Sequence, residues 1–225
     1  MASRSSGLPE RFGQRMDAIV VIGGGGHAKV IVSILQKLKN CQIIGYTDLK
    51  NNGPLLGVPY LGSDDQLPAL AAEPGAVNAA LALGQVGLGN VRCELWSRLQ
   101  PVALPFPWIV SPGAVVNAGV LVGEGAAVMD GAVINTGASI GRGAIVNTNC
   151  TVEHDVVLED WVHVAPGATI CGGVIVGRFS MIGAGATVIE GRKIAAGCIV
   201  GAGATVVEDL TEAGIYVGCP ARRIR

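Results

Sequence analysis

From Val110 onward every sixth residue is aliphatic, in the series Val110, Val116, Val122, Val128, Ile134 and so on to Val206, with no polar residue and no insertion. Neither a helix, with its period of 3.6, nor a lone strand, with its period of 2, produces a period of six. Self-similarity this regular marks a repeat architecture, in which each unit buries its apolar side chain only by stacking on the next. Three positions after most of these aliphatics stands a glycine, as at Gly113, Gly119, Gly125, Gly131, Gly137 and Gly143. Each hexad therefore reads as a short strand followed by a corner at which glycine supplies positive φ. The next residue is usually small, and Cys150 and Cys198 both fall at this position inside the bend. Three such sides close an 18-residue triangular coil, and stacked coils form a parallel β-helix.

The exceptions to the repeat are concentrated. Three successive hexads replace the corner glycine with Asn149, Asp155 and Trp161, so that residues 146–163 make one altered coil. Asn and Asp tolerate the left-handed conformation; Trp does so less readily, and Phe179 repeats the anomaly 18 residues later. Two of the chain's three histidines lie here. His154 precedes the corner residue Asp155, with Glu153 on its other side, and His163 precedes the inward Val164 and so faces outward. Nine residues are half a coil, which places the two histidines on different parts of the prism. For them to serve one substrate, one must come from a neighbouring subunit, which predicts a homotrimer with active sites in the grooves between prisms.

Residues 17–105 lack the six-residue period. The stretch DAIVVIGGGGHAKVIVSILQKL reads as a strand, a glycine turn and a helix with Val30, Ile34 and Leu38 on one face. CQIIGYTD is a second strand ending at Asp48, NAALALG a third, and VRCELWSRL a helix. This is half of a Rossmann-like parallel sheet. Gly23, Gly25 and Ala28 fit G-x-G-x-x-A between strand and helix, with Asp48 at a distance suited to a ribose-binding carboxylate. Such a turn lets phosphate approach backbone N–H groups, here at Gly25 and Gly26, at a helix N-terminus. The glycines read equally as a tight turn, His27 as a local cap or a phosphate contact, and Asp48 as the end of a strand. The short domain has more room for a nucleotide-diphosphate sugar than for a dinucleotide.

A net charge of −1 without a basic run gives no footprint for nucleic acid or an anionic membrane surface. Although 50% of residues are hydrophobic, glycine interrupts every apolar stretch before bilayer length. Residues 1–16 lack the apolar core of a secretory signal and read as a flexible arm, which points to the cytoplasm. Six cysteines without a C-x-x-C pair argue against a zinc knuckle or a disulfide scaffold. A metal hydrolase on such a prism needs three histidine ligands, and only two lie in the repeat. A non-catalytic trimeric scaffold remains the reading from a different class.

Together, GGGGHAK, GVPYLGSDDQL, NTNCTVEHDVVLEDWVHVAPGA and the ending GIYVGCPARRI resemble bacterial hexapeptide-repeat sugar acetyltransferases of the sialic-acid O-acetyltransferase-like family. The nearest branch N-acetylates nucleotide-linked 4-amino-4,6-dideoxy sugars. The resemblance implies an α/β Rossmann-like half domain (17–105), a left-handed parallel β-helix (106–208), and a tail (209–225) near the coenzyme A site. It implies an acetyl-CoA-dependent N-acetyltransferase without a metal, acting on GDP-perosamine or on a UDP-linked amino sugar, with O-acetylation of a sialic acid as the alternative. By the same resemblance His154 is the general base, Asp155 orients it, His163 lies near the acetyl group and Asn147 lines the site. Gly172 meets the thioester through its backbone, and Ala184 and Ala202 line the coenzyme A channel. One departure is Leu49, where some members carry a second acidic residue. Arg222, Arg223 and Arg225 read either as contacts to coenzyme A phosphates or as a solvated tail.

Overall fold

The computed structural model describes residues 16–38, 41–72, 77–85 and 91–225. Except for Met16, the amino-terminal arm lies outside the described residues. Met16 itself belongs to the first strand, β1 (Met16–Ile22), which is followed by α1 (Gly26–Lys37) and β2 (Cys41–Thr47). Then come a short β3 (Tyr60–Gly62), a short α2 (Leu67–Ala72), β4 (Val77–Leu81) and α3 (Val91–Leu99). The four strands form a parallel sheet in the order β3-β2-β1-β4. β1 is central, and its residues 19–22 are buried on both faces, which is why that part of the strand is continuously apolar rather than alternating.

One sequence expectation is corrected in α1. Val30 is 38% exposed, and the buried residues are Ala28, Ile31, Val32, Ile34 and Leu35. That stripe is wider than one face because α1 meets both its own sheet and the prism: the same cluster contains Ile19, Val21, Ile109, Ala127 and Ile145. Val30 falls outside both contacts. Lys37, in the last turn of α1, pairs with Asp130 of the prism at 2.8 Å.

The repeat folds as expected into short strands, from Ile109–Val110 to Thr205–Val206, two residues long except for Cys198–Val200 and stacked in parallel register 18 residues apart, as in Ile145↔His163 and Thr151↔Thr169. They form three faces of a left-handed β-helix. The first face contains Ile145–Val146 and His163–Val164, the second Thr151–Val152 and Thr169–Ile170, and the third Val157–Leu158 and Ile175–Val176. The aliphatic column packs inside with Cys150 and Cys198, both fully buried.

Corner conformations follow the repeat. Gly119, Gly125 and Gly131 have φ between 65° and 79°, and the non-glycine substitutes Asn149, Asp155, Trp161 and Phe179 adopt φ of 55°, 60°, 63° and 62°. Gly113 is the exception, at the first corner, where φ is not positive. Trp161 lies over Gly143, one coil earlier, where a Cβ would run into its ring. Gly143 is therefore needed for space as well as for conformation.

The ending extends the prism, while Arg222, Arg223 and Arg225 stay exposed. A strand at Gly214–Val217 adds in parallel to Cys198–Val200 and extends the first face, and Arg222–Arg223 returns antiparallel to it. Arg223 pairs with Glu212 at 2.6 Å, and Arg222 faces Glu208 at 3.7 Å.

Candidate functional site

The altered coil divides its polar residues between two edges of the prism. His154, Asp155 and Gly172 lie on the edge between the second and third faces. Asn147, Ala184 and Ala202 lie on the edge between the first and second faces, and His163 joins them from the adjoining strand. The expected separation of the two histidines within one chain therefore holds, and Asn147 stands with His163 rather than with His154.

On the first of these edges His154 is exposed, and its Nδ1 lies 2.9 Å from Asp155 Oδ2. Because a carboxylate only accepts, Nδ1 carries the proton and Nε2 presents a lone pair. The hydrogen bond that His154 donates to Asp155, with further attraction from Asp155, Glu153 and Glu190, holds the His154 pKa above the ordinary 6.5. The left-handed corner at Asp155 is what places its carboxylate beside the ring. Gly172, one coil on, packs against that ring: a Cβ there would lie 2.7 Å from Cε1 and Nε2. Gly172 has no positive φ, so alanine suits its backbone. Gly172→Ala is thus expected to leave the melting temperature almost unchanged and to turn the exposed ring aside. The loss in kcat/KM should be about 10- to 100-fold, the scale of a misplaced catalytic group. Unchanged kcat/KM would remove His154 from the chemistry.

Two features of this edge were not anticipated. Asn117 donates to Asn135 at 2.6 Å, and Asn135 donates to Glu153 at 2.8 Å. These residues are 18 apart, so the coil period was the available signal. Glu153 therefore terminates an internal amide ladder, whereas Asp155 serves the histidine. Glu190, two coils beyond His154, adds negative charge to the same column.

His163 points out of the prism but not into solvent, being 7% exposed beneath the amino-terminal domain. Its Nδ1 donates to the Gln85 carbonyl at 2.9 Å, and its Nε2 accepts from Asn147 Nδ2 at 3.2 Å. Burial, with opposition from the Gln85 bond and a smaller push from Arg92, brings its pKa down to about 4. It is neutral at physiological pH and unsuited to accept a proton there.

In the amino-terminal domain the glycine turn is open at Gly25 and Gly26, where an added Cβ would meet nothing within 4 Å. Asp48 is part of the turn's own structure, since Oδ2 accepts from the Gly24 N–H at 2.6 Å and Oδ1 from Lys50 N–H at 3.1 Å. Beside it lies a cleft of about 520 Å³ bordered by Gly23, Thr47, Asp48, Asp64, Glu94 and Arg98. His27 does not cap α1, whose N-cap Gly25 receives no side-chain bond. Burial, followed by Arg92 and His163, lowers its pKa to about 4, which places it toward the prism. Among the described residues no group of three His, Cys, Asp or Glu side chains is arranged to hold a metal ion. No helix among them is long and apolar enough to cross a membrane.

Residues 18–93 match the family model described as the PglD N-terminal domain, and residues 137–172 match bacterial transferase hexapeptide (six repeats). No match was found among the curated proteins. Among solved structures, the chain is similar to the acetyltransferase domain of PglB from Neisseria gonorrhoeae FA1090 in complex with acetyl coenzyme A. That similarity has 30% identity and a TM-score of 0.83, covering 93% of this chain and 100% of the other. It is also similar to a histidine-to-alanine variant of GDP-perosamine N-acetyltransferase from Caulobacter crescentus, in complex with CoA and GDP-perosamine. There the identity is 36% and the TM-score 0.86, covering 92% of this chain and 97% of the other.

Proposed function

Since the chain belongs to the hexapeptide-repeat sugar acetyltransferases that carry a PglD-type amino-terminal domain, we propose that it moves acetyl from acetyl-CoA to the 4-amino group of a nucleotide-linked 4-amino-4,6-dideoxy sugar, with GDP-perosamine the preferred acceptor. The observation that carries this is the His154 ring: exposed, oriented by Asp155 through Nδ1, and free at Nε2 beside Gly172. The neutral sugar amine attacks the thioester carbonyl carbon, and the growing oxyanion needs donors such as backbone N–H groups near Gly172. Nε2 takes the proton from the attacking nitrogen, the C–S bond breaks, and the thiolate leaves to be protonated as coenzyme A. The thioester is already activated, so no covalent acyl-enzyme intervenes. The open glycine turn at Gly25 and Gly26, with Asp48 bracing it, suits the diphosphate and ribose of the acceptor.

A trimer follows from the division of the site. Within one chain a full face of the prism separates His154 and Gly172 from Ala184 and Ala202. A coenzyme A channel lined by both sets therefore runs between two prisms. Exposed Val115 on the second face and Leu121 and Val157 on the third supply apolar surface for that contact. Sedimentation should give three chains per particle; a fully active monomer overturns the trimer.

Thiol release from acetyl-CoA, measured against UDP-, GDP- and dTDP-linked 4-amino sugars and a free sialic acid, tests the acceptor. The expected result is the highest kcat/KM with GDP-perosamine. A preference for the sialic acid replaces N- with O-acetylation, and no thiol release with any acceptor returns the chain to the scaffold class.

A further inference from the structure

On the edge that carries His154, the residue after each inward aliphatic of the second face belongs to a column with an 18-residue step: Asn117, Asn135, Glu153, Cys171, Ile189 and Val207. The polarity of this column changes once. Asn117 donates to Asn135 at 2.6 Å and Asn135 Nδ2 donates to Glu153 Oε2 at 2.8 Å. Beyond Glu153 the column holds a thiol and two aliphatic side chains. An amide N–H given to a carboxylate makes a charge-assisted bond, and the amide behind it polarises the donor further. The ladder therefore fixes one oxygen of Glu153. Among the described residues the other, Oε1, has no hydrogen-bond partner.

The change of polarity falls at the level of His154, the next residue in the chain. Its ring is turned toward Gly172, on the side of Cys171. His154 thus stands between an amide-lined half of the edge, toward the start of the prism, and an aliphatic half toward its end. The amino-terminal domain packs at the height of the first half, where α1 meets Ile109, Ala127 and Ile145. Ala184 and Ala202 belong to the coils of the second half.

We propose that Glu153 is a specificity-determining residue for the acceptor: its Oε1 accepts from the sugar hydroxyl on the carbon beside the reacting amine, and Asn117 and Asn135 are the positioning residues that hold it there. A 4-amino-4,6-dideoxy sugar has a hydroxyl at C3 and a methyl-bearing carbon at C5, so only one neighbour of the amine offers a proton to a carboxylate. An amine N–H to His154 Nε2 and the C3 hydroxyl to Glu153 Oε1 are two bonds of about 2.8 Å each, from adjacent carbons to adjacent residues. Held at both points, the sugar ring keeps the nitrogen lone pair aimed at the thioester. A carboxylate only accepts, so an acceptor without that hydroxyl leaves Oε1 unpaired in the occupied groove and binds less well. That Glu153 meets this sugar rests on the acceptor proposed above, whereas the ladder that fixes Glu153 does not.

Titration calorimetry of the full chain, without acetyl-CoA, tests this with GDP-perosamine and a UDP-linked 4-amino-4,6-dideoxy sugar, each beside its 3-deoxy counterpart. For the unsubstituted protein, loss of the hydroxyl should raise Kd by about 10- to 100-fold, the range for a hydrogen bond to a charged group. Glu153→Ala should weaken the hydroxylated sugar by the same factor and bind the two forms alike. Asn135→Ala, which leaves the carboxylate present but unheld, should weaken only the hydroxylated form, by about 3- to 10-fold. The KM for acetyl-CoA should be unchanged in both variants, as general damage to the prism would not leave it. Equal binding of the two forms by the unsubstituted protein overturns the proposal. So does equal weakening of both forms by Glu153→Ala, a matching rise in the KM for acetyl-CoA, or failure of either nucleotide sugar to bind. A hydroxyl-dependent Kd without thiol release from acetyl-CoA counts against acetyl transfer alone. Thiol release that is indifferent to the hydroxyl counts against the role of Glu153 alone.

Discussion

Replacing His154 by alanine is expected to lower kcat by about 10²- to 10⁴-fold, the usual contribution of a positioned general base. Affinity for both substrates should change little. The ring is exposed and touches mainly Asp155 and Gly172, so stability should stay within about 0.5 kcal/mol of the parent, as for surface substitutions generally. The pH dependence has a definite sign. Only neutral His154 accepts a proton, and the hydrogen bond to Asp155 together with nearby acidic charge raises its pKa above 6.5. The rate should therefore fall as pH drops through a midpoint above that of a free imidazole. Asp155→Asn removes the main cause of the elevation, so the acid limb should move to lower pH while the plateau falls because the tautomer is less well held. A kcat/KM profile for the two variants and the parent is the measurement. Retention of the parent rate by His154→Ala would sink the proposed chemistry.

Trp161→Ala should be the most damaging substitution for stability among the corner residues, at about 3–5 kcal/mol, as for buried tryptophans elsewhere. The ring is 5% exposed, packs edge-on against Trp96 at 5.6 Å, and lies in the cluster joining α3 to the prism. Removing it opens a hole between the domains and strips Arg92 of its platform. Trp161→Gly should cost less than Trp161→Ala, by about 1 kcal/mol. Alanine keeps the strain of φ 63°, and glycine does not. Denaturant unfolding of the three proteins reads this order directly. Alanine proving milder than glycine would show that the corner relaxes when the ring is gone.

The same corner shows what could be read in advance. Strict six-residue spacing reported the prism, its inward aliphatics and the small buried Cys150 and Cys198, because each repeat has only one way to bury its apolar side chain. The lost glycines reported the altered coil, since asparagine, aspartate and even tryptophan occupy the same left-handed corner. The location of His154 on an edge, half a coil from His163, followed from counting. The amide ladder from Asn117 to Glu153 obeys the same 18-residue count, but asparagines beside a strand are common and nothing in their chemistry marks them as a ladder.

Other features depended on contacts between segments distant in the chain. Periodicity placed Val30 on the buried side of α1, but α1 packs against two partners and the prism's first face moved the apolar stripe to Ile31, Val32 and Leu35. The six-residue pattern correctly turned His163 outward from the prism. Only docking of the amino-terminal domain put Gln85 over it and changed a surface histidine into a buried one whose pKa burial lowers. Local repetition thus determined where each side chain stands on the prism, because strand and corner alternate under short-range steric rules. Which of those side chains meets water, and in what protonation state, was decided by the domain packed against the first face, through desolvation and charge that no local pattern encodes.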